Sequence, residues 1–263
     1  MIIAQISDLH VGRPGELAYG QFDAAQRLAR CVEHLMRRRP VPDAVLASGD
    51  LVDAGSDEEY RRLRELLAPF SMPVYFIPGN HDDRDALRSA FSEHTYLGRI
   101  GEPTCYCVTG HPVRLIALDT TVAGETGGTL DRRQIDWLEG QLAATPRQPA
   151  LIFMHHPPFK TGIARMDEIS LDAASAAHLG AVVSRHAQIA LLTCGHVHRA
   201  IQVRWHGTTA SVCPSTAFQY GLNLDGPGLQ PSPDEPPAYQ LHCWNGMEIV
   251  THTVAVDPGA RQV

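Results

Sequence analysis

Residues 74–83 read Val-Tyr-Phe-Ile-Pro-Gly-Asn-His-Asp-Asp: a short apolar run, then a proline and a glycine, then four polar side chains in succession. A run of this length, rich in β-branched and aromatic residues and stopped by Pro-Gly, predicts a buried strand over Val74–Ile77. The glycine permits a sharp turn there, so the polar side chains are delivered at the strand's carboxyl end. The same arrangement recurs on both sides. Upstream, the strand Ile2–Ile6 runs into Ser7-Asp8-Leu9-His10 and the strand Ala44–Ala47 into Ser48-Gly49-Asp50. Downstream, Ala150–Met154 runs into His155-His156-Pro157-Pro158, and Ile189–Cys194 into Gly195-His196-Val197-His198.

Segments of helical period separate these strands. Phe22, Ala25, Leu28, Ala29, Val32, Leu35 and Met36 recur at spacings of three and four and predict a helix over Gln21–Arg38, ended by Pro40. Further helices are expected over Glu58–Leu67, Leu130–Leu142 and Asp172–His186. Thr104–Val108 and Val113–Leu118 read as paired strands around Gly110-His111-Pro112. Alternation of strand and helix predicts a layered α/β domain. After His198 the pattern becomes alternating strands at 201–205, 208–212, 239–244 and 248–256. The stretch 226–237 holds five prolines and reads as an irregular loop. The expectation is one domain over 1–263, with 199–263 as a C-terminal β-rich segment.

Composition narrows the function. With 263 residues, 44 % hydrophobic and 19 % charged, the chain can bury an ordinary core. A balance of 22 Lys+Arg against 29 Asp+Glu, −7 overall, argues against coating long nucleic acid. Absence of a long apolar stretch or a basic leader predicts a protein that neither spans a membrane nor carries a secretion signal. Six scattered cysteines point to a reducing cytoplasmic setting, and 14 histidines, several beside Asp, Asn and Gly, point to metal.

The strand ends supply Asp8, His10, Asp50, Asn80, one of His155 and His156, His196 and His198. Asp8 and His10 are two apart, which in an extended chain sends both side chains to one face. In His155-His156 the same alternation turns one ring inward and the other away. Open α/β sheets bind ligands beyond the carboxyl ends of their strands. Seven donors exceed one tetrahedral ion and suit two ions sharing a carboxylate, with Asp50 the natural bridge. Oxygen and nitrogen donors without thiolate favour Mn, Fe, Co or Zn. His34, His178 and His186 fall in predicted helices and read as packing or surface residues, and Cys194 as a buried small residue.

Asp8-x-His10, Gly49-Asp50, Gly79-Asn80-His81-Asp82, His156 and Gly195-His196-x-His198, in this order, resemble the calcineurin-like metallophosphoesterases. Ser48-Gly49-Asp50-Leu51-Val52, Ile77-Pro78-Gly79-Asn80-His81-Asp82-Asp83, Phe153-Met154-His155-His156-Pro157-Pro158 and Ala164-x-Met166-Asp167-x-Ile169 are similar to class III cyclic-nucleotide phosphodiesterases and bacterial glycerophosphodiesterases. The resemblance covers residues 2–198. It implies a four-layer α/β/β/α sandwich, with the C-terminal β-rich segment as a cap that joins subunits into a homodimer or larger homo-oligomer.

By the same resemblance Asp8, His10, Asp50 and His198 hold one divalent ion, and Asp50, Asn80, His156 and His196 the other. A hydroxide bridging the ions attacks phosphorus. Asn80 and His81 face the substrate, and His81 stabilises the phosphorane or protonates the leaving alkoxide. Arg13, Lys160 and Arg165 are candidates for extra charge, and Tyr19, Phe22 and Phe159 for a pocket wall. The activity expected is hydrolysis of small phosphodiesters: glycerophosphodiesters, 3′,5′-cyclic nucleotides, or aryl phosphate or phosphonate esters. A phosphomonoesterase or nucleotidase using the same donors is the alternative. A non-catalytic scaffold would dispense with the donors.

Overall fold

The computed structural model describes residues 1–226 and 228–257. In chain order its first half forms β1 (Ile2–Ile6), α1 (Ala24–Met36), β2 (Ala44–Ser48), α2 (Asp57–Leu67), β3 (Val74–Ile77), α3 (Arg84–Ala90), β4 (Tyr106–Val108), β5 (Arg114–Leu118) and α4 (Arg132–Ala144). Then come β6 (Ala150–Met154), α5 (Ala164–Glu168), α6 (Ala173–Arg185), β7 (Ile189–Cys194), β8 (Ile201–Trp205), β9 (Thr208–Val212), β10 (Gln219–Tyr220), β11 (Pro231–Ser232), β12 (Ala238–Trp244) and β13 (Ile249–Ala255).

One sheet runs β13-β12-β1-β2-β3 and the other β4-β5-β6-β7-β9-β8. β1, β2 and β3 are parallel, as are β5, β6, β7 and β9; antiparallel pairings end the first sheet at β13 and the second at β4 and β8, while β3 forms the remaining edge. Strand alternation sorts the apolar residues into three layers of core. Ile3, Leu46 and Ile77 from the first sheet meet Leu115, Leu151, Phe153 and Leu191 from the second. The opposite face of the first sheet packs under α1–α3 through Ala4, Leu28, Val45, Leu63 and Leu87. Ile116, Ile152, Met154 and Leu192 of the second pack under α4 and α6 through Leu138, Leu142, Leu179 and Val183. The order of layers is therefore α/β/β/α, as expected.

The C-terminal segment adds two strands to each sheet, β8 and β9 to the second and β12 and β13 to the first. Between them, Cys213–Tyr220 crosses back toward the strand ends, with the Thr216 N–H on the Ser7 carbonyl at 3.1 Å. Pro227 of the proline loop and residues 258–263 lie outside the described residues. Helix starts are set by caps. The helix expected from Leu130 begins at Arg132 because Asp131 accepts the Gln134 N–H while the Gln134 side chain accepts the Asp131 N–H. Ser56 and Glu59 start α2 in the same way. α3 and α5 are too short to show a helical period in sequence.

A buried polar hub ties the sheets together. Gln5 on β1 is fully buried; its amide donates to Ser48 Oγ (2.8 Å) and to the Cys194 carbonyl (3.2 Å). Its Oε1 accepts from Thr193 (2.6 Å) and from His242 Nε2 (2.9 Å). Burial pushes the His242 imidazole down to about 3. Unfolded, His242 takes up a proton near pH 6.5, and folded it does so only near 3, so the unfolded state binds more protons between these values. Stability therefore falls as pH drops from about 6.5 toward 3. Thermal melts between pH 7 and 4 are expected to show this slope, and His242→Gln to flatten it; an unchanged slope would show that His242 does not carry it.

Candidate metal centre

The carboxyl ends of β1, β2, β3, β6 and β7 converge where the sheets meet. Donor atoms of Asp8, His10, Asp50 and His198, all buried, lie within 4.8 Å of one another. His155, His156 and His196, also buried, form a second group by the same measure. The two groups touch at Asp50, whose Oδ2 lies 3.7 Å from His10 Nε2 and whose Oδ1 lies 3.4 Å from His155 Nε2. Asn80 Oδ1 is 3.2 Å from the same His155 nitrogen.

Hydrogen bonds fix which ring nitrogens are bare. His10 Nδ1 faces the Asp53 carboxylate (3.1 Å), His198 Nδ1 the Phe218 carbonyl (2.8 Å) and His155 Nδ1 the Ser48 carbonyl (2.9 Å). Each partner only accepts, so each Nδ1 carries a proton, and in neutral His10 and His198 the Nε2 then presents a lone pair. The bare His10 and His198 Nε2 atoms stand 3.1 Å apart. His196 Nε2 is buried with no hydrogen-bond partner among the described residues. Lone pairs facing one another and an orphaned imidazole nitrogen are unfavourable unless a cation lies between them. The residues therefore fit divalent metal.

His155 and His156 fall on opposite faces of β6. His155 continues the register of Leu151 and Phe153 toward the first sheet, and His156 that of Ile152 and Met154 toward the helices. Both nitrogens of the His156 ring are taken by the protein: Nδ1 by Thr120 Oγ1 at 2.7 Å and Nε2 by the Thr126 carbonyl at 3.2 Å. His156, which the resemblance put among the ligands, keeps a donor atom within 4.8 Å of those of His155 and His196 but spends both nitrogens on protein partners, while His155 Nε2 faces Asn80 and Asp50.

A description of the calcineurin-like phosphoesterases matches residues 1–200. The chain belongs to this family. It is 34 % identical over 254 residues to a probable glycerophosphodiester phosphodiesterase GpdQ of Arcobacter nitrofigilis, covering 96 % of this chain and 92 % of that one. It is 29 % identical over 218 residues to the 3′,5′-cyclic adenosine monophosphate phosphodiesterase CpdA of Escherichia coli, covering 83 % and 77 %. Among solved structures a dimetal phosphatase from Danio rerio shares the fold at a TM-score of 0.69 and 16 % identity, covering 98 % of this chain and 99 % of that one.

In this phosphoesterase, electrostatics favour a cationic guest. Burial opposes charge on Asp50, but His155, His81 and His10 outweigh it and hold the carboxyl well below its usual range. Asp8 is held low against burial by His198 and His155. Burial works against a charged His155, and Asp50 and Asp8 overcome it, raising the imidazole to about 9. Burial holds His10 and, helped by His156 and His155, His196 below their usual range, as neutral ligands require.

The backbone is strained at the same places. Asp8, His10, Asp50, His196 and His198 all have positive φ, between 43° and 72°. Non-glycine residues seldom adopt this left-handed region, and clusters of them mark sites that the surrounding fold over-determines. Here Asp8 N–H donates to the Gly49 carbonyl (3.0 Å), His10 N–H to the Asp50 carbonyl (3.0 Å) and His196 N–H to Asp8 Oδ1 (2.9 Å).

Other expected residues have protein partners of their own. Lys160 donates to the Asp167 carbonyl (2.9 Å), Arg165 pairs with Glu168 (3.1 Å), and Phe159 is buried in the core beneath the second sheet. Phe22 packs with Phe218. Sequence reasoning passed over Asp53, Thr120, Phe218 and Tyr220. Thr120 was recoverable, since it follows β5 as the donors follow their strands, whereas Asp53 and Phe218 sit in loops without a motif.

Gly79 makes the convergence possible: a Cβ there would lie 2.2 Å from the Asp50 backbone nitrogen. Gly79→Ala is expected to cost about 1–3 kcal/mol through forced backbone shifts and to lower the metal content per chain measured by elemental analysis. A variant with unchanged melting temperature and metal content would contradict this geometry.

Proposed function

We infer that the protein is a metal-dependent phosphodiesterase acting on small phosphodiesters, with glycerophosphodiesters, 3′,5′-cyclic nucleotides and aryl phosphate or phosphonate esters as its candidate substrates. The observation that carries this reading is the pair of buried donor sets meeting at Asp50, with bare imidazole nitrogens in both. The names of the relatives, GpdQ and CpdA, support a diester as substrate. We assign one cation to Asp8, His10, Asp50 and His198 and the other to Asp50, Asn80, His155 and His196, with His155 replacing His156. Mn, Fe, Co and Zn all suit this donor set. When bound, the two cations supply Lewis-acid activation of water and neutralise charge building on the phosphoryl oxygens.

The chain's own groups supply the rest. His81 is half-exposed, with Nδ1 on the Asp53 carbonyl at 2.8 Å and its backbone N–H on Asp50 Oδ1 at 3.0 Å. Burial opposes a charged ring, and Asp50, the Asp53 carbonyl and the Asp53 and Asp82 carboxylates outweigh it, so the pKa lies above its usual value. A protonated Nε2 can then donate to a departing alkoxide near neutral pH. Arg84 lines the cavity beside Asn80 but is committed to Asp119 (2.6 Å) and the Thr121 carbonyl (2.5 Å). A monoester dianion would need a freer fixed cation there, which favours the diester over a phosphomonoesterase or nucleotidase.

We read residues 1–263 as one catalytic unit, supported by β12 completing the sheet that β1 begins. We further propose a cytoplasmic homodimer or larger homo-oligomer. The six free cysteines support the reducing compartment, and exposed Leu222 and Leu224 support an apolar contact. No helix among the described residues is long and apolar enough to cross a membrane.

Chelator-stripped protein is expected to hydrolyse bis-p-nitrophenyl phosphate only after Mn, Co, Zn or Fe is restored, with much weaker turnover of p-nitrophenyl phosphate. Preference for the monoester would establish the alternative, and inactivity on both with every metal would reject the enzyme reading. His155→Ala is expected to lose metal by elemental analysis, with His156→Ala losing less; the reverse order would restore His156 as ligand. His81→Ala should slow an alkyl diester about 100-fold and an aryl diester far less. In the parent enzyme alkyl turnover should decline as pH rises through the raised His81 pKa. Equal losses on both esters, or an unchanged pH profile, would remove His81 as the proton donor.

A further inference from the structure

The flank of the centre carrying His10 and His198 is walled by aromatic rings that metal binding does not use. The Phe218 ring lies 4.5 Å from that of His198 and 5.4 Å from that of His10, and the Tyr220 ring lies 4.8 Å from His198. Phe22 stacks behind Phe218 at 5.5 Å, so the wall is braced from the interior. Tyr19 completes it at the rim. Its ring stands edge-on to Phe218 (5.1 Å) and Tyr220 (6.2 Å), and its hydroxyl is 2.7 Å from the Tyr220 hydroxyl.

Two features of Tyr19 exceed what packing requires. The residue is 57 % exposed, so over half of it meets water. Its φ is +51°, a left-handed conformation unfavourable for a bulky side chain. The turn closed by the Ala18 N–H on the Phe22 carbonyl (2.9 Å) and the Gly20 N–H on the Leu17 carbonyl (3.0 Å) imposes it. An exposed ring held by strained backbone and a hydroxyl bridge has already lost the freedom that binding would otherwise remove.

The flank carrying Asn80 differs. A cavity of about 230 Å³ there is lined by Asn80, Asp83, Arg84 and Thr121 among others, and is mainly polar. A phosphodiester has two ester arms, and two unlike flanks can sort them. We propose that Tyr19, held in place by the buried Tyr220 that stands edge-on to it, forms a stacking platform for a planar aromatic group, an aryl ring or a nucleobase, on one ester arm, and so sets the preference among small diesters. This rests on the phosphodiesterase reading. Stacking on one aromatic side chain changes affinity by about tenfold or more.

The test compares the metal-loaded parent protein with Tyr19→Phe, which keeps the ring, and Tyr19→Asn, which removes it yet tolerates left-handed backbone. Two ratios are read: kcat/KM for bis-p-nitrophenyl phosphate over glycerophosphoethanolamine, and calorimetric affinity for phenylphosphonate over methylphosphonate. Tyr19→Asn is expected to lower both ratios about tenfold, and Tyr19→Phe to hold both within about threefold of the parent. Unchanged ratios in Tyr19→Asn, or equal losses on both members of each pair, would overturn the platform. A parent protein that prefers phenylphosphonate yet hydrolyses neither diester would reject the phosphodiesterase reading and keep the platform. Hydrolysis without aryl preference in either ratio would do the reverse.

Discussion

The whole arrangement depends on how closely two sheets approach at one edge. A Cβ on Gly49 would fall 2.4 Å from His155 Nδ1, one on Gly79 2.2 Å from the Asp50 nitrogen, and one on Gly195 2.1 Å from Ser7 Oγ. Gly49 and Gly195 thus mark a contact between layers, and Gly79 a contact between neighbouring strand ends of the first sheet. Beneath that contact Gln5 joins β1, β2, β7 and β12 through buried hydrogen bonds. Satisfied polar groups in low dielectric allow few alternative arrangements. The hub fixes how the sheets register, and the register fixes where the donors meet.

Much of this was legible in the chain. The polar strand ends named the residues that the two sheets bring together, because a parallel sheet exposes that edge, and helical period and caps located the longer helices. What escaped detection lies between elements distant in sequence. That His155 rather than His156 turns toward the first sheet follows from the apolar register of Leu151 and Phe153, but only once the second sheet is known to face the first. Phe218 and Tyr220 reach the centre on a segment with no donor motif, carried there by the Thr216–Ser7 hydrogen bond. His242, with no motif beside it, is a member of the hub. Its partner Gln5 lies in the first strand, 237 positions away.

The centre concentrates unfavourable features that the rest of the molecule offsets. Two carboxylates are buried, five residues of the clusters take left-handed backbone, and one imidazole nitrogen has no partner among the described residues. Each costs stability in the protein alone, and a bound dication would offset the buried charge and the bare nitrogen. The three apolar layers supply the surplus that keeps this geometry in place before metal arrives.

The pairing of β1 with β12 has a bearing on how the protein is made. Asp8 and His10 leave the ribosome long before residues 238–244, yet the strand that leads into them gains its second neighbour only when those residues emerge. Contacts this remote in sequence form slowly, and until then β1 presents an unpaired edge. A ribosome stalled inside the proline-rich loop would hold a nascent protein with every residue of the two polar clusters translated and no closed sheet to position them.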